Sequence, residues 1–181
     1  YLWYYRGCAI NKMNFNFSTG SILGGSLGII GLTEEATTTA ITGQTEVAVP
    51  SYAIMNSVSS IGTIYLEGVS LGTCSFSSLD VSIDNQINAA KSIGVLGACD
   101  LAAFSVQVTA NTEVYFKDLT MYQKFLNATP FSIVIILTDS DGNSIGISLP
   151  KCKFETLDTP ISGKDSFLMQ SGSIRALRDV T

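Results

Sequence analysis

The segment Asp139-Ser140-Asp141-Gly142-Asn143 is the one place where oxygen-bearing side chains alternate as in a calcium-binding loop. An EF-hand loop requires Gly at its sixth position and a bidentate Glu at its twelfth. Ser144 and Pro150 stand at those positions. Because Gly and Asn between two apolar stretches are typical of a tight hairpin, the segment predicts a turn. We expect no metal site and no cofactor.

Side chains that could perform catalysis are few. The sequence has no histidine, so a Ser or Cys nucleophile would lack its most common base. Asp80 and Asp84 lie on one face of a predicted strand, but two carboxylates on an exposed face usually belong to a solvated surface rather than to a glycoside hydrolase. The glycines of residues 24–28 have neither the spacing nor the Lys of a phosphate-binding loop, and in a strand they favour close approach of a neighbouring backbone. We predict that the protein is not an enzyme.

Four cysteines, Cys8, Cys74, Cys99 and Cys152, are scattered without a C-x-x-C pair. Together with the absence of histidine, this spacing disfavours a zinc site. Cys8 and Cys74 occupy equivalent positions of an internal repeat, where we interpret them as small buried hydrophobic residues. A disulfide is the less favoured alternative, because spacing alone does not define pairing.

Charge is scarce along the chain. Only 14% of the 181 residues are charged, against roughly 25% in soluble domains, and the formal net charge is −5. The sequence has no Lys or Arg cluster, which argues against tight binding of phosphates. No apolar run approaches the roughly 20 residues of a membrane-spanning helix, and the longest, residues 133–137, predicts a buried strand. A surface with so few charges is typical of one that other copies of the chain cover.

One strand pattern occurs twice. The first copy is Cys8-x-Ile10-x-x-Met13-x-Phe15-x-Phe17, and the second is Cys74-x-Phe76-x-x-Leu79-x-Val81-x-Ile83. Polar residues fill the positions between, so each strand would have one apolar and one polar face. A second alternating segment follows each copy, at residues 21–30 and 104–109. The sequence therefore predicts two related hairpins.

The remaining segments are assigned by their turn and breaker residues. Residues 33–60, rich in Thr, Ser and Ala, predict a long arm. Residues 61–71 predict a hairpin that turns at Glu67-Gly68, and residues 84–100 an insertion at the tip of the second hairpin. Later strands are expected at residues 131–138, 144–149, 151–157 and 167–177.

One short helix is expected, with Asp118 as its N-cap. Leu119, Tyr122, Phe125 and Leu126 fall on one face at helical spacing. We expect this helix to cover one face of the sheet and to bury these apolar side chains.

Several short motifs occur one after another along the chain. They are Tyr5-Arg6-Gly7-Cys8, Leu79-Asp80-Val81-Ser82-Ile83-Asp84-Asn85, Val114-Tyr115-Phe116-Lys117-Asp118, Tyr122-x-x-Phe125-Leu126, Leu137-Thr138-Asp139-x-Asp141-Gly142-Asn143, Leu149-Pro150-Lys151-x-Lys153-Phe154 and Met169-Gln170. Their order resembles that of the tail tube proteins of long-tailed bacteriophages. The resemblance covers essentially the whole chain.

The resemblance implies a mainly-β tail tube fold of the sandwich or barrel type, with one short flanking helix and two duplicated hairpins that contribute to a β-barrel between subunits. Residues 1–181 would be a single tail tube domain, with the arm at about residues 33–60. Because members of the family carry a further N-terminal region, we expect an upstream segment to be missing.

The resemblance also implies a structural virion protein. Hexameric rings would stack into a hollow tail tube through which viral double-stranded DNA passes during ejection, without specific binding. Partners would be further copies of the chain and the terminator, tape measure and distal tail proteins, with no membrane. The protein would be assembled in the bacterial cytoplasm and reside in the virion tail.

Two sets of candidate site residues follow. Those facing the channel are Asn14, Asn16, Ser18, Asp80, Ser82 and Asp84, with Ser105, Gln107 and Thr109 as weaker candidates. The apolar residues Met13, Phe15, Phe17, Leu79, Val81 and Ile83 would pack away from the channel. Contacts between subunits or rings are expected at Thr37, Thr38, Thr39, Asn88 and Lys91.

The main alternative is a β-sandwich adhesin or receptor-binding module, whose Ser- and Thr-rich loops would contact sugar or protein. It predicts a discrete monomer or trimer with aromatic residues exposed in loops. Tyr52 is the one loop aromatic well placed to stack on a sugar. A tube protein, by contrast, would polymerise as its concentration rises.

Overall fold

The computed structural model of the chain describes residues 1–43, 45, 47–49, 51–52, 54–71, 75–161 and 163–178. This part contains thirteen strands and one short helix, which confirms the predicted mainly-β class. The elements are β1 (Leu2–Arg6), β2 (Ala9–Ser18), β3 (Gly24–Ile30), β4 (Thr33–Thr37), β5 (Ile61–Leu66), β6 (Val69–Ser70), β7 (Phe76–Asp84), β8 (Ile87–Ala90), β9 (Asp100–Ala103), β10 (Gln107–Tyr115), α1 (Thr120–Leu126), β11 (Phe131–Thr138), β12 (Ser144–Asp158) and β13 (Met169–Ala176).

Nine strands form one sheet in the order β3-β2-β7-β10-β13-β12-β11-β5-β6. The other four form two antiparallel ribbons, β1–β4 and β8–β9. Because β2 lies between β3 and β7, and β7 between β2 and β10, the two hairpins predicted from the duplication are neighbours in the sheet. The second partner strand begins at Gln107, later than predicted, and residues 104–106 precede it.

The first of two compact units comprises Tyr1–Met13, Ser26–Tyr52 and Asp84–Val106, and it contains both ribbons. The predicted arm over residues 33–60 begins with a paired strand that the sequence did not predict, since β4 pairs with β1. The predicted insertion over residues 84–100 contains β8 and ends where β9 begins, so it carries a ribbon of its own.

The cysteines are not all placed as predicted. Cys8 is exposed, so its interpretation as a buried hydrophobic residue is wrong. It follows Gly7, whose positive φ of 62° turns the chain between β1 and β2, and it belongs to neither strand. Cys99 is exposed and Cys152 is buried, and these three described cysteines are free thiols. Cys74 lies outside the described residues.

The second compact unit comprises Asn14–Gly25, Ala53–Ile83 and Gln107–Thr181. Its buried core is made of Phe17, Leu66, Leu79, Val81, Ala110, Phe131, Ile133, Ile135, Leu137, Leu149, Cys152 and Ile174. Along β11, alternate residues are buried and the residues between them are half-buried. The apolar run at residues 133–137 is therefore a strand, as predicted, but only one of its faces is fully buried.

β12 is one strand of 15 residues where the sequence predicted two. Pro150, which favoured a break between them, lies at an irregularity of the β11–β12 ladder, because the register shifts between Phe131, opposite Cys152, and Ile133, opposite Leu149. At such a position a strand tolerates a residue without a backbone N–H. Cys152 also pairs with Ala176 of β13 on the other side.

Helix α1 exists, but the prediction that it buries its apolar face is wrong. Leu119 is 56%, Tyr122 39% and Leu126 61% exposed. Met121 packs against the core instead, and the ammonium of Lys124 lies 2.8 Å from a carboxylate oxygen of Glu67. Phe125 is half-buried, so the side of the helix toward the protein carries Met121, Lys124 and Phe125.

The start of α1 also differs from the prediction. Leu119 is the N-cap residue, one position after Asp118. The Asp118 carboxylate nevertheless accepts a hydrogen bond from the Thr120 N–H at 2.8 Å. Hydrogen bonds from the side chain and backbone of Thr120 lower the pKa of Asp118.

The two predicted turns are confirmed. Glu67 and Gly68 both have positive φ, 51° and 77°, as a two-residue type I′ hairpin between β5 and β6 requires. The segment 139–143 joins β11 to β12. There Asp139 accepts hydrogen bonds from the N–H groups of Asp141 and Asn143 and from the Asn143 side-chain amide, and this last bond is the main cause of its lowered pKa.

Candidate functional site

In the second unit, polar side chains of β2 and β7 meet across the ladder. The Asn16 side-chain amide donates a hydrogen bond to Asp80 Oδ1 at 3.0 Å, and the Thr19 N–H donates one to the Ser77 carbonyl at 3.1 Å. These two contacts define an antiparallel register in which the remaining predicted polar residues of this unit share one face. In that register Asn14 lies opposite Ser82, and Ser18 lies opposite Ser78.

The other face of the same strands is apolar. Phe17, Leu79 and Val81 are between 1% and 5% exposed and belong to the core, and Phe15 packs against it. The rings of Phe15 and Phe17 are nearly parallel, with centroids 6.5 Å apart. Met13 and Ile83 are half-buried. The predicted two-faced character of the duplicated strands is therefore present, while the assignment of the polar face to a channel stays a prediction.

In the first unit, the polar face includes a residue that the sequence interpretation missed. The Asn85 N–H donates a hydrogen bond to the Asn11 carbonyl at 2.8 Å, so the next pair along the ladder is Lys12 opposite Asp84. Ile10 shares the face of Lys12 and is 42% exposed. The repeat pattern counts Ile10 among its apolar positions, but side chains alternate along the strand, so Ile10 does not share a face with Met13.

Glycine lets β3 approach β2 closely. A Cβ at position 25 would lie 2.8 Å from the carbonyl oxygen of Asn14, closer than real Cβ contacts. This supports the interpretation of the Gly-rich segment as a strand that another backbone approaches. At Gly28 a Cβ would be 3.4 Å from the Cβ of Lys12, so no side chain of β3 crowds that lysine at this point.

The weaker channel candidates differ from one another in position and exposure. Ser105 precedes β10, and its hydroxyl lies 3.0 Å from the side-chain oxygen of Gln86. Gln107 is exposed and Thr109 is half-buried, both on β10.

The candidates for contact with other subunits belong to the first unit. Thr37 ends β4, and its hydroxyl accepts a hydrogen bond from the Thr39 N–H at 3.1 Å. Thr38 and Thr39 are exposed, as are Asn88 on β8 and Lys91 just after it. Their surfaces are open, which contact with a neighbour requires.

Within the described residues, no three or more Cys, Asp or Glu side chains are grouped so that they could hold a metal ion. The one helix described there is too short to cross a membrane.

The comparison with protein families identifies the chain. Its architecture is that of a mainly-β protein with a polar face along paired, duplicated strands. The sequence model of the family described as phage tail tube protein matches residues 1–176, and the chain belongs to this family. It is thus a structural protein of the virion tail, which assembles with copies of itself and with other tail proteins. No curated protein matches the chain.

Proposed function

We propose that residues 1–181 act as one tail tube domain that forms hexameric rings, and that these rings stack into a hollow tube for the passage of viral double-stranded DNA. The family membership of residues 1–176 supports the tube, and the Asn16–Asp80 contact is the observation that carries the channel assignment. It brings polar positions of both repeats together within the second unit, which is consistent with a shared barrel wall.

The chemistry of this surface suits a passage rather than a binding site. Amide and hydroxyl side chains interact only weakly with phosphates, and the Asp80 carboxylate repels them. DNA held at many points by basic residues would bind in a strongly salt-dependent way and would slide slowly. A wall of Asn, Ser and Asp avoids this.

The edge of the sheet supports closure into a ring. β3 is an edge strand of seven residues, Gly24–Ile30, with no charged residue and no proline. Long uncharged edges attract further strands, and pairing with another copy removes the exposed edge. A head-to-tail contact whose rotation closes produces a ring.

In the same proposal, Thr37, Thr38, Thr39, Asn88 and Lys91 contact neighbouring subunits or rings, with assembly in the host cytoplasm. Terminator, tape measure and distal tail proteins are the further partners. Lys91→Glu would weaken tube formation at low salt if this lysine lies in a contact. Unchanged tube yield would remove Lys91 from the contact set.

Electron microscopy of the purified protein at increasing concentration tests the function. Hollow filaments of uniform width with sixfold symmetry in cross-section are expected. A protein that remains monomeric at high concentration, or rings with a number of subunits other than six, would contradict the proposal. For the channel, Asp80→Lys with Asp84→Lys should leave tubes intact while slowing DNA ejection, and normal infectivity would contradict the channel assignment.

A further inference from the structure

We propose that Lys12 and Asp84 form a charge-compensated pair in the wall of the DNA channel, in which Asp84 prevents Lys12 from holding the DNA backbone. The proposal rests on the channel proposed above. It concerns the one cation that the register adds to the polar face of β2, and it assigns to Asp84 a role other than simple repulsion of DNA.

The register places the two side chains side by side. The Asn85 side chain donates to the Ile10 carbonyl at 2.8 Å, and the Ile87 N–H donates to the Asn11 side-chain oxygen at 2.7 Å. With the Asn85–Asn11 backbone bond, these contacts fix the end of β7 against β2. Because Asn11 and Asn85 hydrogen-bond directly, Lys12 and Asp84 form a non-hydrogen-bonded pair, whose Cβ atoms lie about 4.5–5.5 Å apart.

Asp84 is oriented by its own turn. One of its carboxylate oxygens accepts a hydrogen bond from the Gln86 N–H at 2.8 Å, and Gln86 has a positive φ of 47°. This bond holds the carboxylate at the end of β7, on the residue that the register places opposite Lys12. On the other side of Lys12, β3 contributes Gly28, which has no side chain. Asp84 is thus the acidic group that faces Lys12 from its neighbouring strands.

The consequence is electrostatic. Six subunits would place six lysines at one level of the channel, within reach of successive phosphates. Each phosphate contact adds about 0.9 to the slope of log affinity against log salt concentration. A carboxylate on the facing residue reduces this attraction, since its field opposes that of the ammonium. Removing Asp84 alone would convert this level of the wall into a cationic ring.

The experiment measures the rate of genome ejection from purified virions at low ionic strength. Asp84→Asn is expected to slow ejection about threefold or more, and raising the salt concentration should restore the rate. Asp84→Asn combined with Lys12→Gln should eject at the wild-type rate. Asp165→Asn is the matched control, because it makes the same chemical change at an exposed residue outside β2 and β7.

A second pair of variants tests the proposal if the Asp84 variants fail to assemble into tubes. Asn14→Lys creates an uncompensated lysine opposite Ser82 and should slow ejection similarly, while adding Ser82→Asp should restore the rate. A wild-type rate for Asp84→Asn or Asn14→Lys, or slowing that persists without Lys12, would overturn the proposal.

A labelling experiment distinguishes a failure of the channel assignment from a failure of the charge compensation. An amine reagent too large to enter a tube should label Lys12 in free subunits and spare it in assembled tubes. Labelling of Lys12 in intact tubes would refute both the channel assignment and this proposal. Protection of Lys12 together with a wild-type rate for Asp84→Asn would refute the charge compensation alone.

Discussion

The side-chain amide of Asn16 lies 3.0 Å from Asp80 Oδ1 and donates a hydrogen bond to it across β2 and β7. Both residues lie on the polar faces of the duplicated strands, Asn16 in the first copy of the repeat and Asp80 in the second. Where two identical acidic residues would repel each other, the chain pairs a donor with an acceptor. An amide opposite a carboxylate is therefore favourable at this point of the ladder.

Asn16→Asp should destabilise the protein, since it places two like charges directly opposite each other. We expect the free energy of unfolding to fall by about 0.5–1 kcal/mol at neutral pH, as measured by denaturant titration. Combining Asn16→Asp with Asp80→Asn should restore the stability, because donor and acceptor are only exchanged. Ser18→Asp, which adds the same charge opposite Ser78, should cost less. Equal losses for Ser18→Asp and Asn16→Asp would argue against the pairing.

Gly25→Ala should destabilise the protein by about 1 kcal/mol or more, because its Cβ would collide with the carbonyl oxygen of Asn14 at 2.8 Å. Gly24→Ala is the neighbouring control. A Cβ at Gly24 meets nothing within 4 Å, and the substitution restricts the unfolded chain, so it should be neutral or slightly stabilising. Thermal unfolding of the two variants compares them directly, and an unchanged melting temperature for Gly25→Ala would contradict the close approach.

Leu79→Ala should cost about 2–5 kcal/mol, because Leu79 is 1% exposed and lies in the core. Leu96→Ala removes the same atoms from a side chain that is 96% exposed, and it should change stability by less than about 0.5 kcal/mol. Both are measured by denaturant unfolding at a protein concentration too low for assembly. A cost at Leu96 close to that at Leu79 would mean that Leu96 is covered in solution.

Cys152 should make stability fall at alkaline pH. Burial raises the pKa of its thiol from 9.0 to about 11, so the folded protein favours the neutral form. This contribution is complete below pH 9.0, the value in the unfolded chain, and is lost as the pH rises toward about 11. Cys152→Val lacks the titrating group and should lose less stability over that interval. Parallel pH curves for the wild type and the variant would contradict the prediction.

Periodicity predicted the strands well, because the ladder follows the alternation of side chains that the sequence already contains. Hydrophobic alternation located β7, a continuous apolar run located β11, and turn residues located the bend at Glu67-Gly68. Periodicity failed where contacts between residues distant in sequence determine the structure. The orientation of α1 involves the packing of Met121 on the core and the ion pair of Lys124 with Glu67. The strand β4 depends on a partner, β1, that no local pattern indicates.

The polar face was likewise predicted only in part. Asn16 and Asp80 were assigned correctly to one face from alternation alone. Lys12 was missed because the repeat pattern was aligned on Ile10, whereas continuous alternation from Met13 places Lys12 with Asn14. Only the register fixed by the Asn85–Asn11 hydrogen bond shows that Asp84 is its neighbour.

β12 pairs with β11 along its first part and with β13 along its second, and the two ladders meet at Cys152. Neither ladder can be pulled apart without straining the strand that it shares with the other. A force applied at one end of β12 is therefore passed along a single covalent backbone to the far side of the sheet. In the tube proposed above, through which DNA would pass, this arrangement would spread mechanical load over two ladders instead of concentrating it in one row of hydrogen bonds.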